Sequence, residues 1–276
     1  MRKIKYPLIV SDFDGTLVRE DGTISQRNKE AIKAYVNAGG KFAISTGRMP
    51  AGIISHAQEL GLTGNVCCCQ GAIIMDIQTK ELILEGRLSL ESTIAGCKKM
   101  EELGLHVHVY DLWEYYSNMD DAALKMYERA VRSKAKLVLD RPISQFVEEN
   151  GLRSYKLLAM VEPEKADGIL QELEKDCPEG CSVTKSADYL AELVKTNHSK
   201  GTAVRFLAEY YGVPIEKTIA VGDQQNDLPM IETAGLGIAV CNATEGLKQA
   251  ADYVCACTNE EDAIAEIIEK FGFVEE

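Results

Sequence analysis

The alternation of short apolar runs with helical stretches constrains this chain most. Leu8-Ile9-Val10 leads into a helix-like stretch from Ser25 to Ala38, and Phe42-Ala43-Ile44 leads into a second helix opening at Pro50 and ending near Gly61. A third apolar run follows from Val66 to Cys69. Ser25 suits an N-cap and Gly39 a C-terminal stop. The last third repeats the rhythm, with a helix from about Ser199 to Tyr211, a strand from Thr218 to Val221, a helix near Leu228, a strand from Leu236 to Val240, another helix and a short strand at Tyr253-Val254. Strands separated by helices in this way pair in parallel through right-handed crossovers, so the spacing predicts an α/β fold whose sheet draws on both ends of the chain.

Between those ends the pattern changes. Leu105-His106-Val107-His108-Val109-Tyr110 and Tyr155-Lys156-Leu157-Leu158-Ala159-Met160 alternate with period two, beside helical stretches at Glu91 to Leu103 and Glu164 to Asp176. That period predicts an antiparallel sheet with one covered face. The expected organisation is a discontinuous core of residues 1–84 and 196–276, interrupted by an α+β domain of residues 85–195. A chain of 276 residues has room for both.

Composition narrows the partners. Lys and Arg number 30 against 43 Asp and Glu, a net charge of -13 with no basic cluster, which argues against nucleic acid. No apolar stretch approaches the roughly 20 residues of a membrane span, and none near the start suits a signal peptide. Nine cysteines include the consecutive Cys67-Cys68-Cys69, a run that suits small buried side chains in a strand better than disulfides. Cys177 with Cys181, and Cys255 with Cys257, lack the paired spacing of a zinc site. A reduced, cytoplasmic protein is expected.

Three of the apolar strands end in polar clusters. Val10 leads into Ser11-Asp12-Phe13-Asp14-Gly15-Thr16, Ile44 into Ser45-Thr46-Gly47-Arg48, and Val221 into Gly222-Asp223-Gln224-Gln225-Asn226-Asp227. A single cluster of this kind is explained by capping and turn chemistry; three at strand ends, where open parallel sheets bind ligands, are not. Their composition suits phosphoryl transfer, which needs an in-line nucleophile, a proton donor for the leaving oxygen and positive charge on the equatorial oxygens. Asp12 can attack phosphorus, and Asp14 can protonate the leaving group and later activate water. Thr46, with the backbone N–H groups around Gly47, can hold phosphate oxygens. Carboxylates this close repel one another, and Asp223 and Asp227 add to the repulsion, so a hard divalent cation such as Mg²⁺ is expected.

These residues resemble the haloacid dehalogenase-like superfamily, and within it the Cof-type sugar-phosphatase branch, in four ordered motifs spread over nearly the whole chain. The resemblance implies a Rossmann-like parallel-sheet core with an inserted cap that covers the site and selects substrates. It implies that Asp12 becomes an aspartyl phosphate, that Asp14 is the general acid and base, and that Thr46 and Lys200, in Ser199-Lys200-Gly201, bind phosphate with Gly47 and Asn226. Asp223 would be the chief Mg²⁺ ligand with Asp12, supported by Asp227 and by the backbone carbonyl of Asp14. The expected activity is Mg²⁺-dependent hydrolysis of small phosphomonoesters by a monomer or homodimer. A phosphomutase sharing the same residues, and a regulator that binds a phosphorylated metabolite without turnover, are the alternatives. Two positions depart from the branch: Gln70-Gly71-Ala72 stands where Asn-Gly-Ala is commoner, and Cys241-Asn242-Ala243 has Cys where a small residue is usual. His106 and His108 share a strand face, which favours a structural role over metal binding, while Tyr110, Trp113, Tyr115 and Tyr116 suit either sheet packing or a sugar-binding surface.

Overall fold

A computed structural model describes residues 2–274. In chain order the strands of the first part are β1 (Leu8–Ser11), β2 (Lys41–Ser45), β3 (Asn65–Cys68), β4 (Ile73–Asp76) and β5 (Leu82–Glu85), with helices α1 (Gln26–Asn37) and α2 (Ile54–Glu59) between them. The middle of the chain holds α3 (Leu90–Glu102), β6 (His106–Tyr110), β7 (Tyr115–Ser117), α4 (Ala122–Val131), β8 (Lys136–Leu137), α5 (Ile143–Asn150), β9 (Lys156–Met160), α6 (Ala166–Lys175), β10 (Cys181–Ala187) and β11 (Leu190–Lys195). The last part adds α7 (Lys200–Tyr210), β12 (Thr218–Gly222), α8 (Leu228–Thr233), β13 (Leu236–Ala239), α9 (Glu245–Ala250), β14 (Tyr253–Val254) and α10 (Ala263–Ile267). The chain divides into two compact units, one of residues 1–46, 54–83 and 199–276, the other of residues 47–53 and 84–198.

The first unit is built on an eight-stranded sheet of order β14-β13-β12-β1-β2-β3-β4-β5. Every pairing from β14 to β3 is parallel, as the strand and helix alternation requires. β4 departs from that rule: it turns back on β3 through residues 69–72 and pairs antiparallel, because four residues leave no length for a crossover. Leu8, Ile9, Val10, Ile44, Val66, Ile219 and Val221 are fully buried, as strands covered on both faces must be. Cys67, Cys68 and Cys69 are buried and form no disulfide. Ser25 caps α1 by accepting from the Asn28 N–H at 3.1 Å. The helix expected from Pro50 is broken: a 3₁₀ turn at Pro50–Gly52 precedes the six residues of α2.

The second unit has a six-stranded sheet of order β10-β11-β9-β6-β7-β8, antiparallel except for the β7–β8 pair. Val107, Val109, Leu157, Ala159 and Leu193 form one face and pack in a common core with Cys97 and Met100 of α3, Val147 of α5 and Leu173 of α6. The alternate positions carry polar and aromatic groups: His106, His108, Tyr110, Lys156 and Glu192. Lys156 and Glu192 meet at 3.0 Å with almost no exposure of either side chain. His106 and His108 face each other, Nε2 to Nε2, at 3.2 Å, and Tyr110 stacks on Tyr115 at 5.2 Å. Trp113 is exposed.

Candidate active site

β1 lies between β12 and β2, so the chain leaves it on one side by α1 and reaches it from the other through the last third of the sequence. This is the switch point of an open parallel sheet, where a crevice forms beyond the strand ends. Asp12 follows β1 there, and its N–H still donates to the Val221 carbonyl of β12 at 2.8 Å. Asp223 follows β12, and Thr46 follows β2 with its N–H on the Cys67 carbonyl at 2.9 Å.

Lys200 enters from the first position of α7, whose N-cap is Ser199. Its Nζ donates to Asp12 Oδ1 and to Asp227 Oδ1, both at 2.5 Å, although the three residues are far apart in sequence. The other oxygen of Asp227, Oδ2, accepts from the N–H groups of Asp223 at 2.9 Å and Gln224 at 3.0 Å. Both its oxygens are therefore engaged within the protein, and Asp227 ties the loop together. Asp12, Asp223 and Asp227 bring carboxylate oxygens within 4.8 Å of one another, and all three residues are buried. The Asp14 side chain is exposed and is not part of that trio.

Gly15 and Thr16 set the approach of Asp223. Gly15 has φ +76°, and a Cβ there would lie 2.5 Å from Asp223 Oδ2, so the turn after Asp14 requires glycine on both counts. Thr16 Oγ1 donates to Asp223 Oδ1 at 2.8 Å. Asn242, beside the unusual Cys241, donates from Nδ2 to the Gly15 carbonyl at 2.7 Å and fixes the same turn from another loop. Asn226 donates from Nδ2 to Gln70 Oε1 at 3.0 Å. Sequence reasoning gave no role to Thr16, Gln70 or Asn242. Thr16 belonged to a recognisable run, but nothing in it says which carboxylate the hydroxyl would meet.

The charges do not balance. Three carboxylates face one ammonium, leaving two negative charges buried. Burial, then the charge of Asp227, raises the Asp12 carboxyl well above the usual carboxylate range against the opposing pull of Lys200. Burial and Asp227 likewise push Asp223 up to about 6, with the Thr16 hydrogen bond working the other way. Burial alone would lower Lys200, but Asp12 and Asp227 outweigh it and hold the ammonium charged. A site that keeps its lysine ionised while Asp12 and Asp223 resist ionisation lacks positive charge, and its donors are hard oxygens. The residues present fit a hard divalent cation such as Mg²⁺.

Thr46, Lys200, Asn226, Asp223 and Asp227 all belong to the first unit with Asp12 and Asp14, whereas the division between the two units falls between Thr46 and Gly47. Fold and site together define a phosphoric monoester hydrolase on an α/β core. The chain belongs to the haloacid dehalogenase-like hydrolases of the Cof type: a model of that hydrolase family matches residues 9–268. Phosphatase YwpJ of Bacillus subtilis (strain 168) is 30% identical over 287 residues, covering 95% of this chain and 98% of that protein. The 5-amino-6-(5-phospho-D-ribitylamino)uracil phosphatase YitU of the same strain is 27% identical over 267 residues, covering 96% and 97%. Among solved structures, a haloacid dehalogenase-like hydrolase from Bacteroides thetaiotaomicron matches with a TM-score of 0.83 at 31% identity, covering 96% of this chain and 99% of the other. Among the described residues, no helix is long and apolar enough to cross a membrane.

Proposed function

We propose that the protein hydrolyses small phosphomonoesters in two steps through an aspartyl phosphate on Asp12. The observation that carries this reading is the Lys200 ammonium on Asp12 Oδ1, with Asp223 and Asp227 alongside. A carboxylate held by one oxygen on a lysine has its other oxygen to offer to phosphorus. In the first step that oxygen forms a bond to phosphorus, the bond from phosphorus to the ester oxygen breaks, and Asp14 gives its proton to the departing alkoxide. In the second step Asp14 takes a proton from water, the water oxygen bonds to phosphorus, and the bond to Asp12 breaks to release inorganic phosphate. Exposure of Asp14 suits a group that must exchange its proton with water in every cycle.

Asp12, Asp223 and the backbone carbonyl of Asp14 would hold Mg²⁺, with Asp227 orienting Asp223 and Lys200; the bound ion supplies positive charge to the phosphoryl oxygens. Thr46, Gly47, Lys200 and Asn226 would hold the same oxygens. Selection of the ester is assigned to the second unit, most of which is residues 84–198. The name of the YitU relative puts a phosphorylated polyol on the substrate panel, beside sugar phosphates. A cytoplasmic monomer or homodimer agrees with this reading.

Purified protein should release p-nitrophenol from p-nitrophenyl phosphate in the presence of Mg²⁺ and lose that activity on chelation. Asp12→Asn removes the nucleophile and should lower kcat by at least about a thousandfold. Unchanged turnover in that variant overturns the mechanism.

A further inference from the structure

Beyond β12, two further strand ends reach the turn that follows β1. The loop after β13 is pinned to the segment after β12: the Val240 N–H donates to the Gly222 carbonyl at 3.2 Å and the Thr244 N–H to the Asp223 carbonyl at 2.9 Å. Between those anchors Asn242 uses both ends of its carboxamide. Nδ2 donates to the Gly15 carbonyl at 2.7 Å, and Oδ1 accepts at 3.0 Å from the N–H of Asn259, which lies past the end of β14. Asn259 in turn donates from Nδ2 to the Val18 carbonyl at 2.9 Å. The turn itself closes on the Phe13 carbonyl, which accepts from the N–H groups of Leu17 at 3.0 Å and Val18 at 2.9 Å. Two asparagines from the far end of the chain thus hold two of its carbonyls, one on each side of Thr16 and Leu17.

Asn242 is exposed, so burial does not account for it. The Asn259 N–H fixes which end of the carboxamide is oxygen, and the end left for Gly15 is the donor. A carboxylate in the same place would set oxygen against oxygen. What the bond controls is the backbone at Gly15, the residue about which the turn would pivot most easily, since glycine tolerates many backbone angles. Asp14 stands immediately before it with its side chain exposed, and its placement depends on that backbone. We infer that Asn242 is a positioning residue for the general acid and base: by holding the Gly15 carbonyl it fixes the turn that carries Asp14, so that the carboxyl stands within reach of the ester oxygen. The inference rests on the proposed role of Asp14 and adds no group that touches the substrate.

The test turns on the leaving group. p-Nitrophenolate is a weak base and departs without a proton, whereas the alkoxide of a sugar or polyol needs one, so a misplaced acid harms alkyl esters most. kcat/KM is read on p-nitrophenyl phosphate and on the alkyl phosphate that the parent turns over fastest in a panel of sugar and polyol phosphates. Asn242→Ala should lower it about a hundredfold on the alkyl ester and by less than about tenfold on the aryl one. Asn242→Asp keeps the shape and the acceptor for Asn259 but loses the donor, and should repeat that ester-selective loss. Melting temperatures within a few degrees of the parent show that both are folded. In an Asp14→Asn background, adding Asn242→Ala should change the ratio between the two esters by no more than about twofold, because the group it positions is gone. Equal losses on the two esters, parent-like behaviour of Asn242→Asp, or an undiminished effect in the Asp14→Asn background overturns the inference. Failure of the reading beneath it is seen without any Asn242 variant: Asp14→Asn alone leaves the ester preference unchanged, or the parent turns over no phosphoester.

Discussion

At the scale of single residues, the site depends on groups that act through other side chains. Thr16 donates to Asp223 and opposes the upward push of burial on that carboxyl, so its hydroxyl helps keep the chief candidate ligand ionised. Thr16→Val preserves shape and removes the donor. It should weaken Mg²⁺ binding about ten- to a hundredfold, as loss of an outer hydrogen bond to a metal ligand does, while phosphate turnover at saturating Mg²⁺ largely recovers. A Mg²⁺ titration of activity reads this directly; an unchanged midpoint would mean that the hydroxyl does not orient Asp223. The placement of Asp12, Thr46, Lys200 and Asp223 was legible in the sequence because each follows a strand or opens a helix in a recognisable order. Thr16, Gln70 and Asn242 act through contacts between distant loops, and no local pattern encodes which partner a hydroxyl or carboxamide will find.

At the scale of elements, the middle sheet buries chemistry on the face opposite its apolar core. His108 lies fully buried among His106, Tyr115 and Tyr127, with ring centroids at 4.9, 5.1 and 5.0 Å. Burial, then the neighbouring His106 and Lys156, holds its imidazole well below the ordinary value, and burial lowers His106 as well despite Asp121. The unfolded chain takes up these protons near pH 6.5, and the folded one resists. Stability is therefore present above about pH 6.5 and is lost as pH falls from there, by up to about 1.4 kcal/mol per pH unit for each histidine. Urea midpoints measured from pH 7.5 to 5.5 should fall, and His108→Phe should flatten the curve; parallel curves would show that His108 contributes nothing to it. The strands that bear this network, β6 and β9, were legible from their period-two alternation, as were α3 and α6. α4, α5, β7, β8, β10 and β11 were not: β7 and β8 span three and two residues and β10 is half-buried along its length, so neither period nor apolarity sets those three strands apart. β4 was missed for another reason: Ile73, Ile74 and Met75 are all buried, and an unbroken apolar run does not reveal the direction of its pairing.

At the scale of the whole molecule, a chain of net charge -13 gathers three carboxylates around one ammonium at one buried point, the donor set that a divalent cation would require. The cost is visible in the raised carboxyls of Asp12 and Asp223. A carboxyl raised on folding contributes stability that is present below its unfolded value near 3.9 and is lost as pH rises through the folded one, which for Asp223 is about 6. The metal-free protein should therefore lose stability between about pH 4 and pH 7 at this site, and a cation that demands both carboxylates ionised should restore it. Added Mg²⁺ should raise the melting temperature more at pH 7.5 than at pH 5, approaching about 2.7 kcal/mol of stabilisation at a hundred times its dissociation constant. General screening of so acidic a chain also stabilises it, since salt weakens repulsion among all exposed carboxylates. The two effects separate by experiment: NaCl at matched ionic strength reproduces screening alone, and Asp223→Asn removes the saturable, pH-dependent part while leaving the screening response. Equal stabilisation by NaCl and MgCl₂ at pH 7.5 would leave the buried trio without a cation to hold, and the proposed chemistry without its source of positive charge.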